Sequence, residues 1–229
     1  MTAQLFNLPF GQVDMISMLK QNMTSENVQL YKTKSFLKNK YIYLPHKKAD
    51  HIFIVKEGRV KIGVHSNKGK EVIKKIAVKG EIFGEFFLIG QTVHQDYAIT
   101  MEDTEVYTLS IVELQSLMKN NQVLNLYLMQ ILGNRLMDME HRLESLVFKN
   151  SRSRIIDFLE NLVYRRGQRI GYEMLVRQFF THQEIANLTE TSRQTVTMVL
   201  NELRNKNILT FNRRRLLIRN MELLRAEVA

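Results

Sequence analysis

The residues with the clearest capacity for chemistry sit at the start of one short helical stretch. In Thr181 to Leu203, THQEIANLTETSRQTVTMVLNEL, a rotation of about 100° per residue puts Val196, Val199, Leu200 and Leu203 on one stripe and Arg193, Gln194, Thr197, Met198 and Asn201 on the opposite one. The first stripe packs and the second faces outward. Arg offers a fork of donors that matches guanine O6 and N7, and Gln matches adenine N6 and N7, so the outward stripe has the chemistry of base readout. Ser192 is a natural N-cap for this helix. Thr181 with Glu184 three residues on forms a capping box for a shorter helix that carries Ile185, Ala186 and Leu188. Small Ala186 lets the two helices cross closely, which makes the pair a helix-turn-helix whose second helix suits the major groove. The competing reading is a helical hairpin buried in a larger domain. Glu190 occupies the turn where a glycine is expected, so the turn should be either less tight or strained.

Charge supports the first reading. The 229 residues carry 33 Lys and Arg against 23 Asp and Glu, a formal net charge of +10. Residues 1–150 hold 16 Lys, 3 Arg and 15 acids, net +4; residues 151–229 hold 1 Lys, 13 Arg and 8 acids, net +6. The shorter segment is the more basic, and it uses Arg, whose guanidinium suits bidentate contact with phosphate and guanine. There is no cysteine, which excludes disulfides, thiolate catalysis and cysteine-ligated zinc or iron–sulfur clusters. No signal-peptide run and no apolar stretch of about 18 residues is present, so the expectation is a cytoplasmic protein without membrane contact.

The positioning elements follow in chain order. A short helix is expected within residues 1–30. From Tyr41 the texture turns to short β-branched and aromatic runs, YIYLP, HIFIV, GRVKIGV and EVIKKIAV, with turns at Glu57-Gly58 and Asn67-Lys68-Gly69; short, regularly spaced strands predict a β-sandwich or barrel. Gly80-Glu81-Ile82-Phe83-Gly84-Glu85 is a glycine-flanked loop that can turn backbone N–H groups toward a phosphate, although such a spacing is more often a simple turn. Ile111 to Phe148 contains no proline and one glycine and predicts a single long helix. Asn125, Met129, Leu132, Leu136, Met139, Leu143 and Leu146 step by four and three along it, the rhythm of a dimer seam. Leu124, Leu128 and Ile131 form a second stripe that packs on the chain's own domain. Lys149 to Arg154 reads as a polar hinge, followed by a helix with Ile155, Phe158, Leu159 and Leu162 inward. Finally, Ile208–Phe211 and Leu216–Ile218 flank Asn212-Arg213-Arg214-Arg215, two strands with a basic turn, or wing, whose arginines would lie on phosphates. The domain limits expected are 1–110 for the strands, 111–149 for the long helix and 150–229 for the basic domain.

The strand series ending in Gly-Glu-Ile-Phe-Gly-Glu, the long helix and the SRQTV helix-turn-helix, in that order over about residues 30–220, resemble the CRP/FNR family of bacterial transcription regulators. The resemblance implies an α+β chain: an antiparallel β-roll sensor of cyclic-nucleotide-binding, jelly-roll type, a dimerising helix, and a winged helix-turn-helix that binds duplex DNA at an inverted repeat as a homodimer, with RNA polymerase as a further partner. Arg193, Gln194, Thr197 and Met198 would then read bases. Thr181, His182, Gln183, Ser192, Thr195, Arg213, Arg214 and Arg215 would hold phosphates. Met198 departs from relatives that have an arginine there.

The effector pocket implied by the resemblance comprises Gly84, Glu85, Asp96, Tyr97, Met139 and Glu140. Where cyclic-nucleotide-binding relatives carry Arg-Ser-Ala or Arg-Thr-Ala, with the arginine on the cyclic phosphate, this chain has Asp96-Tyr97-Ala98. Where they place a Thr-Ser pair on the long helix, it has Met139 and Glu140. An aspartate repels a phosphate, so an effector other than cyclic AMP, or none, is expected; a cyclic-nucleotide-responsive regulator with an atypical pocket is the alternative. The six histidines show no HxH or HExxH spacing, so no metal is expected, and a cupin-like enzyme lacks its paired histidines. A pure dimerisation scaffold leaves the basic wing unexplained. No cofactor is expected. Haem is the alternative, through His94 or His141.

Overall fold

The computed structural model describes residue 15 and residues 31–67, 69–212 and 214–228. The expected N-terminal helix lies outside the described residues, apart from Met15, which is helical and fully buried. Contacts divide the chain into two compact units, Met1–His65 with Lys74–Arg135, and Ser66–Ile73 with Leu136–Ala229.

The first unit is built on eight strands: β1 (Lys32–Phe36), β2 (Tyr41–Tyr43), β3 (His51–Glu57), β4 (Val60–His65), β5 (Glu71–Ala77), β6 (Ile82–Phe83), β7 (Tyr97–Thr100) and β8 (Thr104–Ser110). They form two four-stranded sheets, ordered β1-β8-β3-β6 and β2-β7-β4-β5, with antiparallel pairing at each described ladder. Side chains alternate across a strand, and β3 buries both of its faces. Phe53 and Val55 join Tyr43, Val60, Ile62, Phe83, Ala98 and Val106 between the sheets. Ile52 and Ile54 join Ile82, Leu109, Leu114, Leu124 and Leu128 on the opposite side. This is why HIFIV reads as a continuous apolar run rather than an alternating one. The β3–β4 turn needs Gly58, whose φ is +87° and where an added Cβ would stand 2.5 Å from Thr104 Oγ1.

The expected single helix over 111–148 is two helices, α1 (Ile111–Asn120) and α2 (Gln122–Phe148). Asn121 is extended, with φ −128° and ψ 91°, and its Oδ1 accepts from Leu124 N at 2.9 Å. A side chain that supplies an N-cap is what allows the helix to restart there. Asn125 is drawn into the same junction, its Nδ2 donating to Met118 O at 2.8 Å, so it serves the break rather than a seam.

In the second unit come α3 (Ser151–Arg166), β9 (Gln168–Ile170), β10 (Glu173–Arg177), α4 (His182–Thr189), α5 (Arg193–Asn205), β11 (Leu209–Phe211), β12 (Arg215–Ile218) and α6 (Met221–Ala226). The strands order as β11-β12-β10-β9. The expected polar hinge is shorter than the sequence suggests. Ser151 to Arg154 already form the first turn of α3, capped by Asn150, whose Oδ1 accepts from Ser153 N at 2.9 Å. Arg152 pairs with Glu202 at 2.5 Å and with Glu227, and Arg154 donates to the carbonyls of Thr189 and Glu190 at 2.9 and 3.0 Å. These arginines tie α3 to the helix-turn-helix, and so are not a free basic linker.

Candidate nucleic-acid interface and sensor pocket

The two helices of the basic domain are set by their caps. Thr181 Oγ1 accepts from Glu184 N at 3.2 Å while Glu184 Oε2 accepts from Thr181 N at 2.8 Å, the reciprocal pair of a capping box. Ser192 Oγ accepts from Thr195 N at 3.0 Å and opens α5. Val196, Val199, Leu200 and Leu203 are completely buried, each contributing about 1.5–3 kcal/mol relative to exposure. That burial fixes the rotation of α5 and turns Arg193, Gln194 and Met198 outward, all three exposed. Ala186, 1% exposed, lies buried on α4 as the close crossing requires. Glu190 takes the left-handed conformation, φ 51° and ψ 48°, the strain expected of a side chain in a glycine's place. Arg142 from α2 reaches its carboxylate at 2.6 Å.

The remaining expected contacts divide by what they already do. Ser192, Thr181 and Gln183 are exposed, with the Gln183 amide donating to Asn187 Oδ1 at 2.8 Å. Thr195 is half-buried, its hydroxyl 2.8 Å from Ser192 Oγ. Thr197 and His182 are half-buried and bonded to each other, Nδ1 to Oγ1 at 2.8 Å. Since the Thr197 hydroxyl donates to Arg193 O at 2.9 Å, its one proton is used, which assigns the neutral His182 tautomer with hydrogen on Nδ1. Burial first, and the Arg193 charge second, hold the His182 imidazole below its ordinary range.

At the wing, β11 and β12 pair as expected, and Asn212 Oδ1 accepts from the N–H groups of Arg214 and Arg215, each at 2.9 Å. Arg214 and Arg215 are exposed. Arg215 belongs to β12 rather than the turn, opposite Arg177 on β10; Arg213 lies outside the described residues. The β9–β10 ribbon and Arg177 escape the sequence reading, although Gly167 and Gly171 punctuate the stretch that holds them.

On α2, Met129, Leu136, Met139, Leu143 and Leu146 are exposed, from 42% at Leu146 to 68% at Met129, and Leu132 is half-buried. The second stripe, Leu124 and Leu128, is buried in the first unit's core, with Ile131 packed against it. An uncovered apolar stripe of this length is unusual on an isolated chain.

Two buried charge pairs occupy the roll. Gly84, with φ +77° and an added Cβ 3.1 Å from the Phe53 ring, opens a 3-10 turn, Glu85–Ile89. Glu85 is 1% exposed and meets Arg135 of α2 at 2.6 Å, yet neither carboxylate oxygen nor Arg135 Nε has a well-aligned hydrogen bond. Asp96 is 2% exposed. Its Oδ2 accepts from Lys74 Nζ at 3.1 Å and its Oδ1 from the Tyr43 hydroxyl at 3.3 Å. Burial and the Asp96 charge push the Tyr43 phenol far up, so it remains a donor. The His94 ring stacks on Tyr43 at 3.6 Å, and burial holds it below its ordinary range. Tyr97 is buried beside His65 and Tyr41.

Asp96 therefore does not leave the roll without cations, as its sequence context implies: Lys74 and Arg135 are present and engaged. The signal for Lys74 was the Lys74-Lys75 pair inside an otherwise apolar strand. Met139 and Glu140 are exposed on α2, in the second unit. His94 presents one ring face to Tyr43, and His141 is exposed beside Glu144 at 3.5 Å. No group of three or more His, Cys, Asp or Glu suited to a metal occurs among the described residues, and no helix there is long and apolar enough to cross a membrane.

Comparison with known proteins agrees with this layout. Residues 33–121 match the cyclic nucleotide-binding domain, and residues 153–227 match the Crp-like helix-turn-helix domain. The global nitrogen regulator of Nostoc sp. is 24% identical over 186 residues, 80% of this chain and 83% of that protein. The cyclic AMP receptor protein of Thermus thermophilus is 28% identical over 158 residues, 69% of this chain and 70% of that one. The structure of a CooA mutant from Carboxydothermus hydrogenoformans covers 95% of this chain and 97% of its own with a TM-score of 0.81 at 24% identity. That of FixK2 from Bradyrhizobium japonicum covers 87% and 98% with a TM-score of 0.77 at 21% identity; both likenesses speak to the fold. With the sensor-type domain, the long helix and the helix-turn-helix in this order, the chain belongs to the CRP/FNR family of transcription regulators.

Proposed function

We propose that this regulator binds duplex DNA as a homodimer at a specific inverted repeat, in the cytoplasm and in concert with RNA polymerase, and that cyclic AMP is not its effector. The observation that carries the DNA reading is the outward face of α5. Arg193 and Gln194 are exposed at its N-terminal turn, and among the described residues no hydrogen bond engages the guanidinium or the amide. Met198 offers a thymine methyl only apolar contact, which relaxes one position of the half-site. The exposed stripe of α2, Met129 to Leu146, supports a second copy as its occupant, since two recognition helices related by a two-fold axis need such a seam.

Against cyclic AMP stands the charge arrangement. A cyclic phosphate carries one negative charge, and the cations near its expected place are paired with Asp96 and Glu85. A cyclic phosphate entering there would give up its hydration without meeting a free cation, a cost of roughly a few kcal/mol, which moves a micromolar affinity toward millimolar. The name of the Thermus relative is therefore not transferred with its fold.

Selection of duplexes from a random pool with the purified full-length protein tests the reading. The pool should converge on two inverted half-sites spaced by about one helical turn. Arg193→Ala should weaken that site by roughly 1–3 kcal/mol and random DNA by little. Convergence on a single half-site would overturn the dimer, and equal losses on both DNAs would reduce Arg193 to a phosphate contact.

A further inference from the structure

Asp96 stands where an anion site has its cation inverted, but its surroundings are those of a bound anion. The carboxylate is 2% exposed, with one oxygen on the Lys74 ammonium at 3.1 Å and the other on the Tyr43 hydroxyl at 3.3 Å. The three residues come from one sheet, Tyr43 at the end of β2, Lys74 on β5 and Asp96 just ahead of β7. The phenol is held toward the carboxylate: the Tyr43 ring stacks on His94 at 3.6 Å, and the core rings of Phe53 and Phe83 lie tilted against it at 5.7 and 6.2 Å. A phenol and an ammonium converging on one small buried carboxylate are what a receptor presents to a small anionic ligand.

Resting on the reading that the roll is the sensor of a DNA-binding regulator, we propose that Asp96 is a built-in surrogate for an anionic effector. Its carboxylate fills an anion site made by Lys74 and Tyr43, and the roll thereby holds the form competent for DNA without any small molecule bound. Local charge and local concentration both favour the tethered carboxylate. The Lys74 ammonium, half-buried at 30% side-chain exposure, gains from a counter-charge. Asp96 supplies it from the same chain, at an effective concentration that a free anion in the cell does not match. The site is therefore a receptor for a monoanion of carboxylate size, and it becomes accessible only when the tethered carboxylate is removed.

Chemical rescue tests this with the full-length protein and the operator it selects. Asp96→Ala leaves the Lys74 ammonium and the Tyr43 hydroxyl facing a space of carboxylate size. Operator affinity, read by fluorescence anisotropy, should fall about tenfold or more, by loss of the interactions of a buried charge pair. Sodium formate should restore most of it, while sodium chloride at equal ionic strength should not. Lys74→Met with Asp96→Ala should not respond to formate. Asp96→Asn, which keeps the shape and so protects the fold, should lose affinity and resist rescue because its amide fills the site.

The proposal is overturned if Asp96→Asn binds the operator as the parent protein does. It is overturned equally if formate raises the melting temperature of Asp96→Ala without restoring DNA affinity, since the pair would then be structural only. Titration calorimetry of the parent protein with cyclic AMP or cyclic GMP should give no saturable heat below about millimolar ligand; micromolar binding would mean that the site is not self-occupied. A parent protein that selects no operator would instead defeat the DNA reading on which this rests.

Discussion

The outward face of α5 and the buried centre of the roll carry the same kinds of side chain and treat them in opposite ways. On α4 and α5, side-chain hydrogen bonds go to the caps, through Thr181 and Ser192, and leave Arg193 and Gln194 in water. In the roll, Asp96 and Glu85 are removed from water and matched with the partly buried Lys74 and Arg135. The difference is physical before it is functional. A solvated cation can wait for a partner at little cost, whereas a buried charge left alone is unstable. A site that meets its partner at the surface can therefore keep its donors open, and one enclosed in a core must either bind a ligand or complete itself.

The largest effect that sharpens this contrast is expected at Arg135. Arg135→Leu strands the Glu85 carboxylate at 1% exposure and should cost about 3–5 kcal/mol in urea unfolding at neutral pH. Glu85→Leu with Arg135→Leu should recover most of that, since a well-packed apolar pair replaces a charge pair at little cost. Arg193→Ala should change stability by no more than about 0.5 kcal/mol. Equal losses at Arg135 and Arg193 would erase the distinction between an engaged and an open charge.

The same contrast explains what was legible in the amino-acid order. Caps and stripes are local, so Ser192, the Thr181–Glu184 box and the buried face of α5 could be read from spacing alone, and so could the strands HIFIV and GRVKIGV. The pairings that complete the roll are not local. Asp96 and Lys74 lie 22 residues apart, and Glu85 finds Arg135 only because α2 packs on the sheet through Leu124 and Leu128. Asp96 on its own reads as a missing cation; only the fold shows the cation supplied from β5. Asn121 is the converse case. Its extended backbone is a purely local choice, but helix periodicity runs through it undisturbed, so the break between α1 and α2 has no signature in the apolar pattern.

A smaller effect is expected with pH, where the roll holds a buried imidazole and the reading domain a half-buried one. His94 in the roll and His182 on α4 are both held below the ordinary value of 6.5, chiefly by burial. The unfolded chain therefore takes up protons at these positions more readily than the folded one. Their contribution is present above about pH 6.5 and is lost as pH falls through the folded values, with a slope of at most about 1.4 kcal/mol per pH unit for each group. His94→Phe keeps the stack on Tyr43 and should flatten the roll's share between pH 6.5 and 5. His182→Asn keeps a donor for Thr197 and should flatten the other. The neighbouring charges act in opposite directions, Asp96 raising His94 and Arg193 lowering His182 further. Urea unfolding at pH 7, 6 and 5 measures both slopes, and an unchanged slope in the double variant would show that neither imidazole is buried in its neutral form.

The smallest effect concerns a charge that the reading domain does commit, at the turn of Glu190. Its left-handed φ of 51° costs a non-glycine residue about 1 kcal/mol, and the Arg142 guanidinium lies 2.6 Å from its carboxylate at 30% and 19% side-chain exposure. A partly exposed pair of this kind contributes at most about 1 kcal/mol, so strain and attraction nearly balance. Arg154 meets this turn through the carbonyls of Thr189 and Glu190 and is indifferent to the side chain. Glu190→Gly should therefore leave the stability of the parent protein within about 0.5 kcal/mol, the relief of strain offset by the lost pair. In an Arg142→Ala background only the exposed Lys70, 3.9 Å away, still faces the carboxylate, and the same change should stabilise by about 1 kcal/mol. The difference between the two backgrounds, read from a double-mutant cycle, is the coupling that makes a strained glutamate tolerable in a glycine's position. Identical gains in both backgrounds would mean that Arg142 contributes nothing to the turn.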